Sequence, residues 1–356
     1  MPQLPVIDIA ALHEMRSADD VARTAAHLDA ACREFGFFYA EGHGIADAAF
    51  ERLEAASRRF FALAEDDKAR IAMAKGATAW RGWFPLGGEL TSGLPDRKEG
   101  LYLGEELGPD DPRVEAGWPL HGANLWPDGV PELRPAVEAY LAMAIAAAEA
   151  LMRGMAVALG LPPDHFAGRL TRRPTLLFRI FRYPANDPAA SAPGFGVGEH
   201  SDYGLLTLLG QDARGGLEVR TRAGWIDVPP RGRALVINIG DMFERLTLGR
   251  YRSAPHRVIN RSGGTRLSYP LFFDPDFAAT VEPLPIAGEA AARDEARWDG
   301  VDVHAPIRTY GDYLIEKVGK VFPELAEKSL SRRHRLGAAG DFAEDEPHDD
   351  HHHHRL

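Results

Sequence analysis

Three residues of this chain form the donor set of an iron site: His200 and Asp202 in His200-Ser201-Asp202, and His256 far downstream in Ala254-Pro255-His256-Arg257-Val258. Two imidazoles and one carboxylate can hold Fe(II) by three of its six positions. Three positions then stay open for a cosubstrate and dioxygen, so the set points to redox chemistry.

The string His-x-Asp occurs three times, and context separates the copies. His27-Leu28-Asp29 lies in residues 19–35, where Val21, Ala25, Leu28, Cys32 and Phe35 recur at helical spacing. At about 100° per residue, positions two apart on a helix point to nearly opposite sides. His348-Asp349-Asp350 lies in residues 337–356, an acidic, histidine-rich stretch with no apolar period, expected to be a disordered tail. His200 and Asp202 instead open a run of strand character, Tyr203-Gly204-Leu205-Leu206-Thr207-Leu208-Leu209. Residues two apart on a strand share a face, so both side chains can meet one ion.

Ten residues after His256 comes Arg266-Leu267-Ser268-Tyr269-Pro270-Leu271-Phe272-Phe273, which alternates as a buried strand does. Arg266 and Ser268 share its face. A guanidinium beside a hydroxyl can hold a carboxylate through charge-assisted hydrogen bonds, and a buried arginine left unpaired is costly.

With these residues in place, the chain resembles the isopenicillin N synthase-like branch of the Fe(II)/2-oxoglutarate-dependent dioxygenases. The likeness extends to Leu4-Pro5-Val6-Ile7-Asp8-Ile9, Phe35-Gly36-Phe37-Phe38 with His43-Gly44-Ile45, Trp118-Pro119, Asn124-Leu125-Trp126-Pro127 and Phe181-Arg182-Tyr183-Pro184. It implies iron ligation by His200, Asp202 and His256, with Arg266 and Ser268 on the distal carboxylate of 2-oxoglutarate and Tyr183 beside them. Many plant relatives carry an asparagine two residues before that tyrosine; here the position is Phe181.

The resemblance further implies an oxidoreductase that turns 2-oxoglutarate and dioxygen into succinate and carbon dioxide while hydroxylating, desaturating or cyclising a small molecule. Ascorbate can support such iron enzymes. Two alternatives stay open: a same-branch oxidase that needs no 2-oxoglutarate, like isopenicillin N synthase or aminocyclopropane carboxylate oxidase, and a non-catalytic metal-binding jelly-roll protein. Arg-x-Ser also occurs in those oxidases.

For the substrate, the resemblance points to the segments holding Arg81, Trp83, Phe84 and Tyr102, and to Phe272. Phe195 belongs to Gly194-Phe195-Gly196-Val197-Gly198, expected to be a pliable loop over the metal mouth. Aromatic rings with an arginine nearby suit a small organic acid or a flat apolar molecule. Packing of the helical layer is the other reading of the same rings.

The elements that must position these residues change texture along the chain. Residues 1–170 are expected to be mainly helical, with helices over 19–35, 47–64 and 130–161. From residue 171 short strands take over, at 175–183, 205–211, 216–220, 225–228, 234–239 and 266–273, and a helix follows over 310–329. Turn signals such as Gly215-Gly216 and Pro229-Pro230 punctuate them. The expectation is an α+β fold: a double-stranded β-helix, or jelly roll, within 171–336, covered by helices mostly from the N-terminal half in one unit.

Composition agrees with an enzyme that has a sizeable core: 356 residues, 45% hydrophobic. The single Cys32 forbids an intramolecular disulfide and suggests a reducing, cytoplasmic setting. Net charge is −11, and no large basic field invites nucleic acid. The apolar stretch 140–161 contains Glu149 and Arg153, so it is expected to pack as a helix and not to span a membrane. A monomer or weak homo-oligomer with a small-molecule partner is expected. Five of the fourteen histidines fall in the tail, where adventitious metal binding, a natural function and an appended tag stay open.

Overall fold

The computed structural model describes residues 3–186, 194–286 and 297–330. Its strands in chain order are β1 (Val6–Asp8), β2 (Phe37–Glu41), β3 (Gly82–Phe84), β4 (Leu90–Thr91), β5 (Leu94–Pro95), β6 (Glu99–Gly104) and β7 (Thr175–Tyr183). There follow β8 (Val197–His200), β9 (Leu206–Gln211), β10 (Leu217–Thr221), β11 (Gly224–Asp227), β12 (Leu235–Ile239), β13 (His256–Val258) and β14 (Arg266–Asp274). Eight of them form one sheet in the order β1-β2-β12-β9-β14-β7-β6-β3, and β11-β10-β13-β8 form a second. A cavity lies between them, lined from both sheets, which is the jelly roll expected.

Alternation on the long strands separates the two faces of the large sheet. Leu177, Arg179, Phe181 and Tyr183 of β7 and Arg266, Ser268, Pro270, Phe272 and Asp274 of β14 line the cavity. Phe178 and Tyr269 point the other way, their rings 5.7 and 6.3 Å from that of Tyr140. Tyr140 belongs to the helix Leu133–Ala158, which packs on Ala18–Glu34 and Asp47–Phe61 to form the layer behind the sheet. Within this helix Ala144, Ala147, Leu151 and Met155 are buried, and Arg153 donates to the carbonyls of Leu12 and His13.

The helix Ala18–Glu34 begins where Ser17 Oγ accepts the Asp20 amide, a side-chain N-cap. Behind it, Gly36 turns the chain into β2 at φ +67°, and a Cβ there would lie 1.9 Å from the Arg252 carbonyl oxygen. Glycine is what lets the helix and the metal-bearing half approach so closely. Cys32 is buried beside Met155, its thiol pushed up by burial and by the Asp29 charge.

Three expectations need refinement. Residues 1–170 are mainly helical, as expected, but they do more than cover the core: β1, β2, β3 and β6 supply four of the eight strands of the large sheet. Glycine hides β6 from a reading by strand propensity. A Cβ at Gly100 would meet the rings of Phe84 and Phe181 at 2.6 and 2.7 Å, so a residue of poor strand propensity is required there. Second, Val197 and Gly198, expected in a loop, open strand β8. Third, the helix over 310–329 is two helices, Tyr310–Val321 and Pro323–Ser329, because Pro323 lacks the amide needed to continue the first. The stretch 337–356 lies outside the described residues.

Candidate metal centre

His200 ends β8 and His256 begins β13, and the two are register partners across that antiparallel pair. Their ring centroids lie 4.2 Å apart. Asp202 sits in the turn between β8 and β9, so the His-x-Asp string is not one strand with a common face. The turn itself brings the carboxylate back: Asp202 Oδ1 is 3.5 Å from His200 Nε2 and 3.4 Å from His256 Nε2. One ligand atom from each residue falls within 4.8 Å of the others.

Hydrogen bonds fix which atoms converge. His200 Nδ1 lies 2.9 Å from the Gly198 carbonyl oxygen and His256 Nδ1 3.1 Å from that of Ala254. Carbonyls only accept, so each Nδ1 carries a proton and each Nε2 is left facing the centre, where a metal that displaces any Nε2 proton takes its lone pair. Asp202 Oδ2 accepts from Thr207 Oγ1 at 2.5 Å and Asn238 Nδ2 at 2.8 Å, leaving Oδ1 for the centre. Burial opposes charge on Asp202, but His256 and His200 hold its carboxyl well below the usual range. Burial likewise pulls His200 down, and the Asp202 hydrogen bond and charge outweigh it and raise the imidazole. The edge of Phe37 closes against the His256 ring at 5.1 Å. The donor set and its tautomers fit a divalent transition metal with open positions.

Arg266 and Ser268 lie on β14 of the large sheet, lining the same cavity, 1% and 2% exposed. The Arg266 Nη2 donates to Gln211 Oε1 at 2.9 Å, and the guanidinium carbon lies 5.0 Å from the centre of the Tyr183 ring. Its Nε and Nη1, and Gln211 Nε2, are buried with no hydrogen-bond partner among the described residues. Burial lowers the Arg266 pKa from its ordinary value. A buried cation with two free donors fits a carboxylate that enters with a ligand. Gly196 leaves room for Tyr183, since a Cβ there would lie 2.4 Å from the tyrosine ring.

The expected substrate residues divide. Tyr102 and Phe272 line the cavity, of about 810 Å³. Arg81, Trp83, Phe84 and Phe195 are not among its lining residues. Arg81 gives Nε to Ala79 O, Nη1 to Asn124 Oδ1 and Glu105 O, and Nη2 to Leu120 O, so it staples loops together. Trp83 donates to Glu99, Phe84 packs edge-on against Tyr102, Phe181 and Phe322, and Phe195 is 42% exposed under Arg257.

Sequence patterns do not single out several other polar residues of the cavity, among them Thr207, Asn238, Glu89 and Arg179, with Gln211 behind Arg266. Lys98 and Tyr102 both donate to the Glu89 carboxylate. A signal exists for some of them. Asn238 within Leu235–Ile239 and Arg179 within Thr175–Tyr183 are polar residues in otherwise apolar buried strands, where each needs a partner.

Comparison with known proteins agrees with this geometry. Residues 174–275 match the family model for the 2OG-Fe(II) oxygenase superfamily, and 4–129 match that for the non-haem dioxygenase in morphine synthesis N-terminal region. A "Probable iron/ascorbate oxidoreductase" of Dictyostelium discoideum is 42% identical over 92% of this chain and 97% of its own. The chain belongs to the 2OG-Fe(II) oxygenase superfamily. A 1-aminocyclopropane-1-carboxylate oxidase of Dictyostelium mucoroides is 31% identical over 92% of this chain and 97% of its own. The crystal structure of a full-length Neurospora crassa protein in complex with alpha-KG superposes with a TM-score of 0.73 at 25% identity, covering 89% of this chain and 96% of that one. This 2OG-Fe(II) oxygenase is an enzyme of the 2-oxoglutarate-dependent dioxygenase class, with iron and 2-oxoglutarate as its cofactor and cosubstrate.

Proposed function

We propose that this oxygenase hydroxylates a small organic molecule, with His200, Asp202 and His256 holding Fe(II) and Arg266 and Ser268 anchoring the far carboxylate of 2-oxoglutarate. One observation carries the reading: three convergent metal donors line the same cavity as a buried guanidinium whose free edge has no partner among the described residues. Bound iron with 2-oxoglutarate and dioxygen supplies the oxidising power, releasing succinate and carbon dioxide.

The chain's own residues bind, orient and exclude water. Arg266 Nε and Nη1 with Ser268 Oγ present donors on one strand face, and Gln211 holds the third guanidinium nitrogen so the fork cannot rotate. Thr207 and Asn238 set the carboxylate of Asp202, and the Gly198 and Ala254 carbonyls set the two imidazoles. Phe37, Phe181, Tyr183 and Phe272 give the cavity an aromatic lining that keeps water from the reacting carbon. The single, buried Cys32 suits a reducing compartment such as the cytoplasm.

The test is succinate formed from 2-oxoglutarate by the Fe(II)-loaded protein in air with ascorbate, against Asp202→Ala, without substrate and then with a panel of small acids and aromatics. Succinate above the blank is expected. The aminocyclopropane carboxylate oxidase relative favours a second reading, an oxidase that draws its electrons from substrate or ascorbate. Oxygen uptake with iron bound and no succinate would replace the first reading by the second.

A further inference from the structure

The cavity holds a second buried arginine. Arg179 lies on β7, is 5% exposed and lines the wall two inward positions before Tyr183. Its Nη1 donates to Leu103 O at 2.7 Å and Phe178 O at 3.3 Å, and its guanidinium carbon stacks 3.6 Å from the centre of the Tyr102 ring. Among the described residues no carboxylate forms an ion pair with it. Arg81 shows what a structural arginine looks like here, with all three nitrogens on acceptors and its side chain outside the cavity. Holding two carbonyls needs one neutral donor group. Burying a full cation for that purpose is costly unless an anion joins it.

The anions nearby are already committed. Glu89 accepts from both Lys98 and Tyr102. Asp274 accepts the Tyr310 hydroxyl and the Leu205 amide, and burial pushes its carboxyl up to about 7. Arg266 is register partner of Tyr183, four residues along β7 from Arg179. At about 3.3 Å per residue their backbone positions lie roughly 13 Å apart along the strands, so one 2-oxoglutarate spanning Arg266 and the metal leaves Arg179 free. Lys317 and Lys320 of the helix Tyr310–Val321 line the same cavity and favour approach of a negative ligand.

We propose that Arg179 anchors a carboxylate of the substrate, at the end of the cavity away from Arg266. This rests on the assignment of Arg266 to 2-oxoglutarate. The substrate class is thus an organic acid, fixed by its carboxylate on Arg179, with its carbon skeleton lying along Phe272 and Tyr102 toward the metal.

Calorimetric titration of the full-length protein, loaded with Fe(II) and 2-oxoglutarate under nitrogen, tests this with hexanoate, 3-phenylpropanoate and lysine, each against its primary amide. At least one acid is expected to bind about tenfold or more tighter than its amide, as loss of a buried charge pairing requires. In Arg179→Gln that ratio should fall to about twofold or less, with 2-oxoglutarate affinity unchanged as the control for folding, and Arg179→Lys should keep part of the preference. Amides binding as well as acids, no acid binding, or a preference that survives in Arg179→Gln would overturn the proposal. Failure of the wild-type protein to bind 2-oxoglutarate would instead overturn the reading of the preceding section.

Discussion

His200 and His256 face each other as register partners on β8 and β13, each with Nδ1 on the carbonyl two residues before it, at Gly198 and Ala254. The sheet therefore delivers two imidazoles in one tautomer and one direction. The turn after β8 needs only to return Asp202 to the same point.

Asp202→Ala should abolish Fe(II) binding, as read by anaerobic titration with the fold checked by circular dichroism. The two imidazoles alone leave one face of the metal without its charged donor. Stoichiometric iron in this variant would show that the metal binds elsewhere.

Asn238→Ala tests the group that steers the carboxylate. It removes the 2.8 Å bond to Asp202 Oδ2 and leaves that of Thr207. Iron affinity should drop by about 10- to 100-fold, the range for loss of an outer partner of a ligand. An unchanged dissociation constant would mean that Thr207 suffices.

Arg266→Ala should weaken 2-oxoglutarate by about 2–5 kcal/mol, the cost of truncating one partner of a buried charge pair. Fe(II) affinity should hardly move, because Arg266 touches none of the three ligands. Equal losses of both would point to a collapsed cavity.

Asp274 gives a pH prediction with a definite sign. Burial raises its folded pKa to about 7, from an ordinary 3.8. Between those values the folded chain holds a proton the unfolded chain has released, so this group's contribution to stability is present below about pH 4 and is lost as pH rises toward 7. The size is on the order of a few kcal/mol. Urea unfolding of the metal-free protein at pH 5 and pH 7.5 should show Asp274→Asn losing less stability than wild type over that interval. An identical loss in both would mean that Asp274 ionises normally.

Much of the site was legible because its chemistry is written in residue types that rarely share a pattern by chance. Residue types and their spacing pick out His200, Asp202 and His256, strand alternation picks out Arg266 and Ser268, and β7 and β14 run where alternation places them. Arg81 and Trp83, expected near the substrate, stand outside the cavity lining for a physical reason. Sequence shows that an arginine or indole is present, but not whether its donors are already taken by Leu120, Asn124 or Glu99.

The sequence by itself determined the donor set, the alternating strands and the helices that bury their apolar stripes, since these follow from local periodicity and side-chain chemistry. Only the tertiary structure decided that Asp202 reaches the histidines from a turn, that β2 and β6 join a sheet begun by the other half of the chain, and that Arg179 faces a cavity while Arg81 does not. Those outcomes depend on register between strands far apart in sequence and on which hydrogen bonds are already filled, and neither is carried by any local run of residues.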